Sequence, residues 1–179
     1  GECASMYHGA NRLGGNSLLA AIYSGHVAAN AINTLAETKD CPNFETYISE
    51  QEQVLEKRLQ SKSRFSAVHV RHEIAKLLND CLGITRTEEK LLEGIKSVDY
   101  YISVSEKLIY DIDVSPYIGY SLQPMLLLAR AILTSALSRK ETRGSHIRED
   151  YPQRSDEFAL CSVCDYKNGE HHISYIKED

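Results

Sequence analysis

The sequence has 179 residues, of which 42% are apolar and 25% are charged, and its formal net charge is −5. This composition is that of a globular chain and argues against wholesale disorder. The acidic balance argues against a nucleic-acid partner. No apolar run approaches the roughly 20 residues that span a bilayer, and no charged n-region followed by an apolar stretch and a cleavage site opens the chain. Five irregularly spaced cysteines favour reduced thiols in a cytoplasmic setting.

The first 36 residues combine a glycine-rich loop with an apolar helix. Four glycines lie within residues 1–15, and Asn16 or Ser17 is typical of a helix N-cap. The pattern predicts a helix over residues 17–35 that is apolar on most sides and needs cover on most sides. We expect it to pack on the rest of the chain or on a second copy, as a homodimer. The glycine start predicts a piece of a longer polypeptide.

Apolar residues at helical spacing predict further helices after residue 43. The pattern indicates a surface helix from Phe44 to Leu59 and a second helix over residues 63–82, with Gly83 as its closing glycine. Thr85 and Glu88 fit a capping box at the start of a third helix.

A long apolar seam continues that third helix to Ile112, and Pro116 and Gly119 interrupt it. The last helix is predicted to begin near Ser121, with Pro124 in its first turn. Residues 44–140 are thus predicted to form an antiparallel bundle of three or four helices joined by short loops.

The segment after Ser145 is polar and rich in turns. Residues 158–160 and 172–176 are predicted to pair as short strands. A possible set of metal ligands lies in this segment, formed by Cys161, Cys164, His171 and His172. A lone C-x-x-C pair is often accidental, however, so ordinary thiols in an irregular tail are favoured and no metal is predicted.

The stretch from His8 to Leu18 has the composition of an anion-binding loop. Glycines on both sides of Arg12 predict a tight turn, in which a guanidinium can bind a carboxylate or phosphate through two parallel hydrogen bonds. A helix is predicted directly afterwards, so free N–H groups and a partial positive charge point the same way. On the residues alone, an ordinary surface loop is about equally favoured.

Two stretches resemble a known enzyme family. Gly1-Glu2-Cys3 followed by residues 8–19 is similar to the FAD-contacting end of the succinate dehydrogenase/fumarate reductase flavoprotein family, a stretch that L-aspartate oxidase shares. Residues 141–152, ETRGSHIREDYP, resemble the motif at the end of that family's C-terminal helical domain. The two stretches occur in the family's order, with the predicted bundle between them.

The resemblance implies roles for four residues. Glu2 is expected to contact the FAD ribose, and Ser17 and Leu18 the pyrimidine edge of the flavin through the start of the helix. A reduced flavin carries negative charge near that edge, which a helix N-terminus stabilises. Arg12 is expected to bind a carboxylate of the dicarboxylate substrate. No residue of the chain is predicted to be catalytic.

The implied parent is an FAD-dependent oxidoreductase that interconverts fumarate and succinate. The resemblance implies a cytoplasmic location, peripheral to the membrane in the parent complex, and an iron–sulfur subunit as partner. Residues 1–36 then are the C-terminal fragment of the FAD-binding domain, residues 37–145 a helical bundle domain and residues 146–179 a C-terminal tail. The chain has no dinucleotide-binding fingerprint, so we expect it to be inactive and to bind no FAD alone.

Two other interpretations remain open: a fragment of L-aspartate oxidase, and a stand-alone helical module that binds a protein partner. The basic cluster near the end of the bundle also has two readings. In the first, these side chains dock onto the FAD-binding domain or an iron–sulfur subunit, or form ion pairs within the chain. In the second, they are favourable cations at a helix C-terminus that is followed by a solvated loop. The members of this cluster are Arg139, Arg143, His146, Arg148 and Arg154.

Overall fold

The computed structural model describes residues 7–11, 14–35, 43–60, 66–105, 107 and 116–177. Its helices are α1 (Asn16–Asn33), α2 (Glu45–Leu59), α3 (Ala67–Cys81), α4 (Glu88–Ser105) and α5 (Pro116–Ser138). A short 3-10 helix (Asp156–Phe158) and a hairpin of β1 (Cys161–Lys167) and β2 (Glu170–Ile176) follow. The predicted fold class, mainly helical with a short β tail, is confirmed.

The chain divides into two compact units, Gly1–Thr46 and Tyr47–Asp179. The first unit contains α1, and the second contains α3, α4, α5 and the hairpin. The candidate flavin residues and the arginine-rich motif therefore lie in different units, and each is described separately below.

Helices α3, α4 and α5 enclose the core of the second unit. Leu91 and Val98 of α4 and Leu126 and Leu133 of α5 are completely buried, and all four lie on the predicted apolar stripes. Helix α4 shares its largest interface with α5. Helix α2 adds Leu55 at the edge of this core. The bundle core thus consists of three helices, with α2 at its border.

The start of α4 differs from the prediction. The backbone of Arg86 pairs with the loop before Asp150, since its N–H donates to the Ile147 carbonyl (3.0 Å) and its carbonyl accepts from the Glu149 N–H (3.0 Å). Arg86 therefore cannot begin a helix, and the capping box of Thr85 and Glu88 is wrong. Instead, Oγ1 of Thr87 accepts the N–H of Lys90 at 3.3 Å and caps the helix.

Helix α5 begins earlier than predicted. Pro116 is its first residue rather than an interruption, because a proline at the first helical position loses no hydrogen bond. Pro124 therefore lies inside the helix rather than in its first turn. By length and composition alone, Tyr117–Ser138 is apolar enough to cross a membrane, which the sequence analysis did not expect. Core helices of soluble proteins meet the same criterion, and Leu122, Leu126 and Leu133 are buried in the bundle.

Two glycines permit close approach of the backbone. A Cβ at Gly83 would lie 2.9 Å from the carbonyl oxygen of Asn79, so a side chain there would collide with the end of α3. A Cβ at Gly94 would lie 3.0 Å from Cδ2 of Leu133 and 3.1 Å from Sγ of Cys81. Gly94 therefore sets how closely α4 approaches both α3 and α5.

The β tail is an antiparallel hairpin. Its register runs from Cys161 opposite Ile176 to Lys167 opposite Glu170. Asn168 (φ 54°) and Gly169 (φ 84°) form the two-residue turn in the left-handed conformation that such turns require. The strand predicted over residues 172–176 is confirmed. The strand predicted over residues 158–160 is wrong, because the 3-10 helix occupies this region and extended pairing starts at Cys161.

Candidate functional site

A glycine in the left-handed conformation directly precedes α1. Gly15 precedes the helix with φ 82° and ψ −18°, a left-handed conformation that favours glycine. Gly15 has no side chain with which to cap the helix, and the first turn of α1 carries no acidic residue. The first N–H groups of α1 are therefore suited to an acceptor outside the helix.

The predicted site residues divide into two groups. Ser17 and Leu18 lie in the first turn of α1, where Ser17 is half-buried and the side chain of Leu18 is 74% exposed. Glu2 and Arg12 lie outside the described residues. The flavin contacts of Glu2, Ser17 and Leu18 and the substrate contact of Arg12 therefore all remain predictions.

A cavity of about 300 Å³ lies beside this helix start. Its volume is at the lower end of the range for small-molecule sites. The rings of Tyr7 and Tyr23 meet edge to face across it, with centroids 6.1 Å apart. The lining residues are Tyr7, His8, Asn16, Leu19, Ala20 and Tyr23.

Helix α1 exposes most of its apolar surface. Leu18, Leu19 and Ile22 are between 67% and 74% exposed, and Ser24 is the one buried residue of the helix. The segment Asn16–Asn33 contains no charged residue. Cover of this helix by the rest of the chain or by a second copy remains a prediction.

A cluster of charged side chains lies in the second unit, in the loop that follows α5. This loop is here called the arginine–carboxylate loop (residues 139–155). Glu141 is fully buried at its centre. Its carboxylate accepts from Arg143 Nε (2.6 Å), from Arg139 (2.8 Å) and from the backbone N–H of Ser155 (2.9 Å). Burial by itself raises the pKa of Glu141, but these hydrogen bonds outweigh it and hold the pKa at about 2.

Arg148 is the second fully buried charge of this loop. It binds the carboxylate of Asp150 through two hydrogen bonds, from Nε (2.8 Å) and from its terminal nitrogen (2.7 Å). Its other terminal nitrogen donates to the carbonyls of Ala136 (2.9 Å) and Leu137 (3.2 Å) in the last turn of α5. Asp150 in turn accepts the N–H of Glu88 at 2.8 Å. Arg148 and Asp150 thus join the end of α5 to the start of α4.

His146 adds a contact within the arginine–carboxylate loop. Its Nε2 lies 3.0 Å from the carbonyl of Arg139. Burial lowers the pKa of His146, and so do the nearby charges of Arg86, Arg148 and Arg139, although the contact with the Arg139 carbonyl opposes them. The neutral imidazole is therefore the favoured form. Of the two predicted roles of the basic cluster, internal pairing describes Arg139, Arg143 and Arg148, whereas Arg154 is exposed.

In the hairpin, the two cysteines and the two histidines are not cross-strand partners of one another. Cys161 and Cys164 lie opposite Ile176 and Ile173, whereas His171 and His172 lie opposite Tyr166 and Asp165. In the part of the chain that the structure describes, no three His, Cys, Asp or Glu side chains come together as a metal site.

The acidic members of the arginine–carboxylate loop were not predicted from the sequence. Glu141 precedes Arg143 by two residues, and Arg148 precedes Asp150 by two. In an extended loop, side chains two residues apart lie on the same side of the chain, so this repeated spacing was the available signal. The ion pair of Asp99 with Arg130 (2.6 Å) joins α4 and α5, and no residue spacing in the sequence indicated it.

Comparison with known proteins places these features in a family. Residues 71–178, more than half of the chain, match the model of the fumarate reductase flavoprotein C-terminus. The chain belongs to this flavoprotein family. The succinate dehydrogenase flavoprotein subunit of Bacillus subtilis is 30% identical over 173 residues, which cover 88% of this chain and 29% of the relative. An uncharacterized FAD-dependent oxidoreductase of Methanocaldococcus jannaschii is 30% identical over 162 residues, with the same two shares.

Solved structures of the flavoprotein family share the fold. A variant of the quinol fumarate reductase of E. coli superposes with a TM-score of 0.71 at 23% identity, over 93% of this chain and 31% of that one. The chain therefore spans less than a third of the length of these relatives. The arginine–carboxylate loop, α4 and α5 lie within residues 71–178 together with most of α3, whereas α1, α2 and the first residues of α3 precede this range.

Proposed function

We propose that this chain is the C-terminal part of an FAD-dependent oxidoreductase that interconverts fumarate and succinate. The observation that carries the proposal is the family match over residues 71–178, preceded by the glycine-rich loop and uncapped helix of the first unit. Relatives that the chain matches include a succinate dehydrogenase flavoprotein subunit and a fumarate reductase flavoprotein subunit. In the proposed parent, residues 1–36 complete the FAD-binding domain and residues 37–145 form the helical domain.

The start of α1 fits the pyrimidine edge of a flavin. The glycine turn leaves open space, since a Cβ at Gly14 or Gly15 would have no heavy atom within 4 Å. A helix N-terminus free of acidic side chains stabilises negative charge at a bound group. Ser17 and Leu18 supply this helix start, and Glu2 is assigned to the ribose. When bound, the flavin accepts or donates the hydride, and the polypeptide orients it.

Arg12 is proposed to bind one carboxylate of the dicarboxylate. A guanidinium binds a carboxylate with two parallel hydrogen bonds and cannot lose its charge near neutral pH. It therefore fixes the orientation of a four-carbon diacid without taking part in proton transfer.

The exposed helix α1 supports a longer parent protein. An uncharged helix with apolar residues on most sides is stable in water only when another surface covers it. We assign that cover to the remainder of the FAD-binding domain, so a homodimer through α1 forms only when the chain is isolated. The proposed parent lies in the cytoplasm at the membrane surface and assembles with an iron–sulfur subunit.

The test is expression of the complete reading frame that contains this chain. We expect a flavin absorbance spectrum and reduction of fumarate by a reduced viologen dye. Arg12→Lys should keep the flavin spectrum and lower kcat/KM for fumarate by about a hundredfold or more, because the bidentate contact is lost. Arg154→Lys, which changes an exposed arginine in the same way, should leave both unchanged.

The alternatives give different results. Oxidation of L-aspartate without fumarate–succinate exchange in both directions would assign the parent to L-aspartate oxidase. A reading frame that begins with methionine next to Glu2 would instead favour the stand-alone helical module. The 179-residue chain alone should neither retain FAD on gel filtration nor reduce fumarate.

A further inference from the structure

The hairpin contacts α5 through a histidine that the proposed flavin site does not use. Along β2, His171, Ile173 and Tyr175 are half-buried and alternate with exposed residues, so these three side chains point toward the body of the second unit. Nδ1 of His171 lies 3.0 Å from a terminal nitrogen of Arg130 on α5. This contact lies near the turn of the hairpin.

The chemistry of the pair decides the protonation state of His171. A guanidinium has only donors, so Nδ1 of His171 must be the acceptor and carry no proton. The one proton of a neutral imidazole then lies on Nε2. The contact therefore requires a neutral imidazole, and an imidazolium in the same place would face a guanidinium at 3.0 Å.

The charged groups around His171 favour the neutral form. Burial lowers the pKa of His171, and Arg130 on α5 and the neighbouring His172 on β2 lower it further. Asp99 on α4 and the Leu127 carbonyl oppose this shift, but the carboxylate of Asp99 is paired with Nε of Arg130 at 2.6 Å. From β1, the ring of Tyr166 packs on His171 with centroids 4.8 Å apart.

The other end of the hairpin is held without a histidine. The hydroxyl of Tyr175 lies 2.8 Å from that of Ser138 at the end of α5. Arg139 donates to the carbonyls of Phe158 (2.8 Å) and Leu160 (2.7 Å), just before β1. None of these groups changes its charge between about pH 5 and 8.

We propose that His171 is a pH-dependent latch that fastens the turn end of the hairpin to α5 only while its imidazole is neutral. Protonation breaks the hydrogen bond from Arg130 and releases residues 165–172, whereas the end held by Tyr175 and Arg139 stays in place. Acidification thus loosens one end of the hairpin rather than unfolding the bundle.

The test is NMR of the 179-residue chain between about pH 7.5 and pH 5, a range in which histidine changes its charge. Imidazole ¹⁵N shifts should show Nε2 of His171 protonated and Nδ1 free at the upper pH, with a titration midpoint below that of an exposed histidine. Amide-exchange protection in residues 165–172 should fall about tenfold on acidification, while residues 161–163 and 174–176 keep theirs.

Matched variants separate the latch from a general acid effect. In His171→Asn, the amide oxygen takes the place of Nδ1 as the acceptor, and an amide does not titrate in this range. Amide-exchange protection near the turn should therefore no longer depend on pH. His172→Asn makes the same change on the exposed face and should keep the wild-type dependence. If the proton of His171 lies on Nδ1, or its titration midpoint is not below that of an exposed histidine, the wild-type spectra alone overturn the proposal. Loss of the pH dependence in His172→Asn overturns it as well.

Discussion

Glu141 shows how a single buried charge organises its surroundings. Its carboxylate is fully buried and receives hydrogen bonds from two arginines and one backbone N–H. Removing one partner of such a group leaves the others without an acceptor in a medium of low polarity. Glu141 is therefore a structural residue of the second unit, although its neighbours had been candidates for docking.

Replacement of this carboxylate gives the first prediction. Glu141→Gln should lower the free energy of unfolding by about 3–5 kcal/mol, because Arg139 and Arg143 lose their shared counter-charge while they stay partly buried. Urea denaturation followed by circular dichroism measures the change. Glu149→Gln alters an exposed carboxylate of the same loop and should change stability by less than about 0.5 kcal/mol. Equal effects of the two variants would refute the role of Glu141.

At the scale of secondary structure, the ends of the helices were the least predictable features. Thr85 and Thr87 both precede α4, and only the pairing of the Arg86 backbone with residues 147–149 determines which threonine caps the helix. That pairing joins residues about sixty positions apart, so local sequence carried no trace of it.

The two threonines give a direct comparison. Thr87→Ala should destabilise the chain by about 1 kcal/mol, because the Lys90 N–H loses its acceptor. Thr85→Ala removes a hydroxyl that does not cap the helix and should cost only a few tenths of a kcal/mol. Thermal unfolding of both variants under the same conditions tests whether Thr87 is the N-cap. A larger destabilisation by Thr85→Ala would show instead that Thr85 caps α4.

The contact between α4 and the other core helices depends on the missing side chain of Gly94. Gly94→Val should cost roughly 2–4 kcal/mol, since the new methyl groups would overlap Leu133 and Cys81 in a closely packed core. Lys96→Val places the same side chain on the exposed face of α4 and should cost about 0.5 kcal/mol through helix propensity. Similar denaturation midpoints for the two variants would show that α4 has room to move.

At the scale of the whole molecule, the stability of the second unit depends on two acidic groups. Glu141 and Asp150 each have a folded-state pKa of about 2, below the ordinary values of 4.5 and 3.8. For Asp150 the hydrogen bonds from Arg148 are the main cause, and burial opposes them. Because the unfolded chain binds protons first as pH falls, the contribution of these two carboxylates to stability is fully present above about pH 5 and is lost progressively toward about pH 2.

Acid titration of stability tests this dependence. The free energy of unfolding should decline between about pH 5 and pH 2, and the decline should be shallower in Asp150→Asn because one linked group no longer titrates. Asp165→Asn removes an exposed carboxylate of the hairpin and should keep the wild-type slope. A slope that does not depend on Asp150 would show that this ion pair has no part in acid unfolding.

Periodicity predicted all five described helices, because a helix that packs against other surfaces presents apolar residues at helical spacing. Helix α4 ends at Ser105, short of the predicted Ile112, which itself lies outside the described residues. The hairpin was placed only in part, although Asn168-Gly169 is a strong signal for a two-residue turn between strands. For the candidate site, the glycine-rich stretch and the motif over residues 141–152 resembled the family that the match over residues 71–178 shows, while the roles of Glu2, Arg12, Ser17 and Leu18 remain predictions.

The sequence by itself determined the fold class and the family, since apolar spacing and short motifs are local properties of the chain. Only the tertiary structure decided that the arginines of the loop face inward, that Thr87 rather than Thr85 caps α4, and that His171 meets Arg130. The pairing of Arg86 with the loop and the contact of His171 with Arg130 join residues far apart in the sequence. The arginine–carboxylate pairs are only two residues apart, and their strength depends on burial. Burial is a property of the packed molecule, so no window of the sequence contains it.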